Sequence, residues 1–175
     1  MYKRIFILSI LLCLGHIASA QQPTFFENDV LGIAFASEMN WQSVENVSPG
    51  TLKLVNENHN VELRMSFERT DLHASAFLNE VMRREGLNCS VDPFTTLIDQ
   101  HDATGVIAGC SEMRRPVKVL LIAVRNSEGY YLLQFKCPDE CFREHKHQMQ
   151  ELLGSIIIRN NKESYIFYAE QSRNS

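Results

Sequence analysis

The chain predicts an α+β domain in which helices pack on an antiparallel β-sheet. Three observations carry that expectation. Residues 60–68 alternate strictly, with Val61, Leu63, Met65 and Phe67 on one face and Glu62, Arg64, Ser66 and Glu68 on the other, as in a sheet with one buried and one wet face. The period then turns helical, with Ala74, Phe77, Leu78, Val81 and Met82 on one stripe. Apolar strands return as a hairpin across 117–135, and a second helical stripe follows. Strands, helix, strands, helix is not the regular alternation of a parallel sheet.

Taken in order, residues 21–29 are polar and predict a flexible lead-in to a domain spanning 30–158. Leu31, Ile33 and Phe35 alternate in a strand at 30–36, and Leu52 and Leu54 mark a second beyond the Ser48-Pro49-Gly50 turn. Before the first helix stands Asp71, a cap candidate; Arg83 and Arg84 suit the helix C-terminal dipole, and Gly86 suits its left-handed stop. Strands are expected at 94–100 and 103–113, with His101-Asp102 in the turn between them. Residues 117–125 are apolar on both faces, as a central strand requires. Asn126 to Gly129 turns the chain into a return strand whose Tyr131, Leu133 and Phe135 face inward. The last helix, about 138–153, carries Phe142, Met149, Leu152 and Leu153, and Ile156–Ile158 starts another strand. Residues 159–175 form a tail whose 164–169 stretch is apolar enough to dock.

The N-terminus sets the compartment. Lys3 and Arg4, an apolar run from Ile5 to Leu14, and Ala18-Ser19-Ala20 make a secretory leader cut after Ala20. The run is too short to span a bilayer, and no later stretch approaches the required length. Leu11 and Leu12 ahead of Cys13 do not suit lipoprotein processing. Loss of Lys3 and Arg4 takes the net charge from −4 to about −6, which argues against nucleic acid and against charge-driven binding to anionic membrane. The 155 or so residues that remain suit one domain.

Export gives the cysteines meaning. Cys89, Cys110, Cys137 and Cys141 are an even set, expected as two disulfides. Of three pairings, Cys89–Cys110 with Cys137–Cys141 is preferred, although spacing alone leaves the crossed pairings open. Pro138 reads as a first-turn helix proline, which puts Cys137 at the N-cap, but Cys137-x-x-x-Cys141 is longer than a thioredoxin-type motif.

The remaining candidates each have a plainer explanation. Trp41, the only tryptophan, is a partner anchor or a cover on the core edge. Arg114, Arg115 and Lys118 form a basic cluster able to clamp an anion, or a solvated turn. His145 and His147 beside Glu144 invite a metal reading. Residues two apart point to different helix faces, whereas zinc helices use a spacing of four. The expectation is therefore one histidine flanking the stripe and one in solvent, with no metal and no cofactor. His101-Asp102 resembles the orienting half of a catalytic triad. No Gly-x-Ser-x-Gly elbow supplies a nucleophile, and Gly109-Cys110-Ser111 is the remaining source. Asn46-Val47-Ser48 and Asn88-Cys89-Ser90 fit the glycosylation pattern, which matters only in a eukaryote.

The layout resembles the PsbP-like α/β/α sandwich family. The resemblance runs through Gly32-Ile33-Ala34-Phe35, Asn40-Trp41, strand 60–68 and the helix with Phe77-Leu78. It continues through Gly129-Tyr130-Tyr131-Leu132-Leu133-Gln134-Phe135 and Leu152-Leu153-Gly154-Ser155-Ile156. That family includes the photosystem II extrinsic protein, a Ran-binding nuclear import factor and many small exported bacterial proteins. It implies accessory or binding roles, offers no catalytic set, and does not contain the four cysteines. The expected function is therefore non-catalytic binding of a protein or small molecule in the periplasm or outside the cell. The alternatives are a small-molecule or lipid carrier using a helix–sheet cleft, and a small hydrolase built on His101 or Ser111.

Overall fold

The computed structural model describes residues 23–159 apart from 46, 49, 59, 88–92 and 113–114. The leader, the docking stretch at 164–169, Cys89, Arg114 and both sequon asparagines fall outside the described residues. No helix among the described residues is long and apolar enough to cross a membrane.

A large antiparallel sheet organises the fold. Its strands are β3 (Gln42–Ser43), β4 (Thr51–Asn56), β5 (Val61–Arg69), β6 (Phe94–Ile98), β7 (His101–Glu112), β8 (Arg115–Asn126) and β9 (Gly129–Pro138). They stand in the order β3-β4-β5-β9-β8-β7-β6. The two most apolar strands, β8 and β9, lie in the middle, where both faces are covered. The β8–β9 hairpin pairs Ile122 with Leu133 and Val124 with Tyr131. A second sheet joins β1 (Thr24–Asn28), β2 (Ile33–Ser37) and β10 (Ile157–Ile158) in the order β1-β2-β10. Among the described residues two helices, α1 (Ala74–Arg84) and α2 (Asp139–Ser155), complete the α+β architecture expected from the sequence.

The period-2 alternation divides the large sheet's side chains between two cores. Leu63, Met65, Leu120, Ile122, Tyr131 and Phe135 point to one side and meet the small sheet and α2 through Phe35, Met149 and Leu152. Val119, Leu121, Ala123, Tyr130 and Leu132 point to the other, where α1 seats Phe77, Leu78 and Val81. Each such aliphatic side chain contributes about 1.5–3 kcal/mol on full burial. Ser155 ties the end of α2 to β2, donating from Oγ to Ala36 O at 2.8 Å and accepting from Ala36 N at 3.0 Å.

Four local expectations are corrected. Residues 24–28, expected to be loose, form β1, because Phe26 stacks on Phe35 with ring centroids 5.2 Å apart and Asn28 Oδ1 accepts the Leu31 N–H across the turn. Asp71 does not cap α1; the N-cap is His73, and Thr70 Oγ1 receives the Leu72 N–H instead. His101-Asp102 is not a turn but opens β7. The turn is Asp99-Gln100, with φ of 46° and 65°, a left-handed pair that hairpins favour. It is held because Asp99 Oδ2 accepts the Ile158 N–H at 2.7 Å. Finally, Pro138 is itself the N-cap of α2, so Cys137 belongs to β9 rather than to the helix terminus.

A candidate binding groove between the sheet edge and the last helix

The helix α2 packs on β2, β9 and β8, and the sheet runs on beyond it through β7 and β6. That overrun leaves a groove of about 500 Å³. Phe94, Ile98, Ile107 and Leu120 line it from the sheet, and Phe142, Met149 and Leu153 line it from the helix. The register explains the shared sheet face: Phe94 opposes Gly105, and Ile107 opposes Leu120. Because Gly105 lacks a side chain, the Phe94 ring folds down over it; a Cβ there would overlap that ring. Lys146 is the only charged residue among the described groove lining. Phe94, Leu97 and Ile107 remain 36%, 66% and 38% exposed, large apolar surfaces left on one edge.

Most residues singled out from the sequence lie elsewhere. Trp41 is 7% exposed, its Nε1 donates to Ser37 Oγ at 2.9 Å, and its ring meets Phe135 edge-on at 5.7 Å. It is spent on the core rather than offered to a partner. Arg115 is exposed at the start of β8. Lys118 pairs with Asp139 at 3.5 Å, so the positive charge of this turn is partly neutralised. His101 and Ser111 sit at opposite ends of one strand, about 30 Å apart at the usual rise, and cannot act on one substrate. The register of β7 also separates His101 from Cys110, half-buried near the far end.

The cysteine arrangement departs from the expected short bridge. Cys137 and Cys141 are free thiols in the structure. Cys137 is buried, and desolvation, reinforced by the nearby Cys141 and Asp139, pushes its thiol up to about 11. His145, expected to flank the stripe, is 2% exposed beneath α2, while His147 stays in solvent and meets Glu151 at 3.3 Å. Cys141, Glu144 and His145 bring one donor atom each within 4.8 Å of one another, so these three residues could hold a metal ion. The His145–His147 spacing does not reveal this cluster. Its signal was the spacing of four between Cys141 and His145. The groove had a weaker signal: Phe94 and Ile107 on an edge with no helical stripe to match them.

No protein-family model and no curated protein matches the sequence. Solved structures match in fold. A Bacteroides thetaiotaomicron protein aligns over 81% of this chain with a TM-score of 0.57 and 14% identity; the chain spans half of that protein's length. Cyanobacterial PsbP from Synechocystis aligns over 82% of this chain and 96% of its own, with a TM-score of 0.58 and 10% identity. LpqN of Mycobacterium tuberculosis, described as involved in cell envelope biogenesis, aligns over 77% of this chain and 89% of its own, with a TM-score of 0.51 and 12% identity. Identities this low speak to the fold alone, and they agree with the sequence resemblance: the chain adopts the PsbP-like fold.

Proposed function

We propose that this chain is an exported, non-catalytic accessory protein that holds an apolar segment of a partner protein in the groove between β6, β7 and α2. The leader at 1–20 supports export, and an envelope role is in keeping with LpqN. The observation that carries the binding role is the groove itself, with Phe94 and Ile107 partly uncovered at its mouth. A protein partner is favoured over a small ligand because the groove wall is the edge strand β6 itself, whose Leu97 lines the groove and stays 66% exposed. A chain lying along β6, the last strand of the sheet among the described residues, covers Leu97 and also pairs with the backbone edge, which a small ligand does not.

Carriage of a small apolar molecule is the second reading. The groove's volume of about 500 Å³ favours it, because small-ligand sites run from roughly 300 to 1,000 Å³. Site-specific photocrosslinking separates the two. A photoreactive residue at position 107 is expected to yield one defined protein adduct in the exported fraction, and the same residue at exposed Glu80 on α1 to yield none. Adducts that are equal at both positions, or absent at 107, refute the reading. A stoichiometric lipid or metabolite released from the purified protein in native mass spectrometry establishes the carrier instead.

A further inference from the structure

We propose that Cys141, Glu144 and His145, completed by Cys137, form a binding site for a thiophilic divalent cation of zinc's class. The three helix residues already place a sulfur, a carboxylate oxygen and a ring nitrogen within 4.8 Å of one another. Coordination through those atoms requires a contraction of up to about 1–1.5 Å, since bonds of about 2.0–2.3 Å put neighbouring ligands in a tetrahedron roughly 3.3–3.8 Å apart. The spacing has a simple origin. Positions 137, 141 and 145 recur every fourth residue, so once α2 begins, Cys141 and His145 fall on one face. That face carries Met149 onto the sheet. Cys137 lies outside that group of three; it arrives from β9 in the same core cluster as Met149 and Leu152, and its sulfur must move in to complete the set.

His145 is built as a ligand would be. Its Nδ1 donates to Gln148 Oε1 at 2.7 Å. This contact orients the ring, as the outer-shell partners of metal-bound histidines do. The ring is 2% exposed, Cys141 is half-buried and Glu144 is exposed, so an ion can enter from the solvent side. Two thiolates, one imidazole and one carboxylate suit a borderline-soft ion that prefers four-coordination and favours sulfur and nitrogen. Binding displaces one proton from each thiol to solvent. The ion then ties the first two turns of α2 to the end of β9.

The test is a Co²⁺ titration of the mature chain, reduced and freed of reductant, followed by Zn²⁺ displacement. A one-to-one complex with thiolate-to-cobalt charge-transfer absorption, and a melting temperature raised by Zn²⁺, are expected. Cys141→Ser is expected to abolish the charge-transfer signal or halve it and to weaken binding beyond the roughly 10–100-fold typical of losing an outer-shell contact, the range expected for Gln148→Ala. His147→Ala, in solvent, is expected to bind like the parent. His145→Gln is a second ligand variant, and if it fails to fold, half-buried Cys141→Ser still decides. Absence of the thiolate band, or affinity unchanged by Cys141→Ser, overturns the proposal. So does a Cys137–Cys141 disulfide found by mass mapping in protein isolated from its native compartment.

Discussion

Replacing Ile107 by lysine tests the groove most directly. Ile107 is 38% exposed, and full burial of such a side chain is worth about 1.5–3 kcal/mol. The uncovered share therefore leaves roughly 0.6–1.1 kcal/mol for a partner to recover. An ammonium forced beneath that partner adds at least about 1–3 kcal/mol for a buried group without a counter-charge. Lysine is preferred to aspartate because Lys146 lines the same groove, and no acidic residue is found among the described lining; a carboxylate would be neutralised there. Together the two effects predict binding weaker by about 2–4 kcal/mol, roughly 30-fold to several hundred-fold. The buried share of the side chain is also lost to folding, about 1–2 kcal/mol, which lowers the melting temperature by roughly 2–8 °C. The assay is fluorescence anisotropy with the peptide identified by crosslinking from position 107, run beside a thermal melt. An affinity within twofold of the parent, in a variant that remains folded, refutes the assignment of the groove.

Further outcomes follow from the fold. Leu78→Ala removes a fully buried side chain between α1 and the sheet and is expected to cost about 2–5 kcal/mol in urea unfolding. Gly129→Ala is expected to destabilise by roughly 1–3 kcal/mol or more, because the new Cβ would strike the Glu68 carbonyl and come within 2.9 Å of Arg69 Cα; a melt matching the parent contradicts that packing. Arg84 makes two hydrogen bonds to Glu68, at 2.9 and 2.6 Å, yet its side chain is 46% exposed. Arg84→Ala should therefore cost less than about 1 kcal/mol, and the difference should shrink in high salt. Trp41, the single tryptophan, is expected to resist iodide quenching until the chain unfolds; easy quenching in the native state contradicts its burial against Phe135.

The strands and helices were legible where burial alone dictates the pattern. The alternation at 61–67 and the two-sided apolar run at 117–125 translate directly into the inner face of β5 and the central position of β8. What the sequence hid depends on distant partners. β1 is short, and Phe26 becomes a strand residue only because Phe35 is there to stack on it. The Asp99-Gln100 turn lacks glycine; its left-handed backbone persists because Ile158, 59 residues away, donates to the Asp99 carboxylate.

The candidate sites divide in the same way. Trp41 and His101 drew notice as conspicuous residue types, and neither type says which way a side chain will face. The groove is a property of helix placement. The apolar stripe of α2 predicts that the helix packs, but not that it packs mainly over β2, β8 and β9 and leaves Phe94, Leu97 and Ile107 of β6 and β7 partly exposed. By contrast, the Cys141–His145 relation is purely local, since a spacing of four on one helix needs no tertiary information. What hides it in the sequence is the neighbouring His147, two residues on and on another face, and a Cys137 that makes Cys141 read equally as half of a disulfide. Phe142, which follows Cys141, lines the groove, so the turn that would hold the ion also forms part of the groove wall. Through that shared turn, chelation is expected to weaken capture of the partner segment, by the same factor by which the segment tightens the ion; capture unchanged by chelation shows the two sites to be independent.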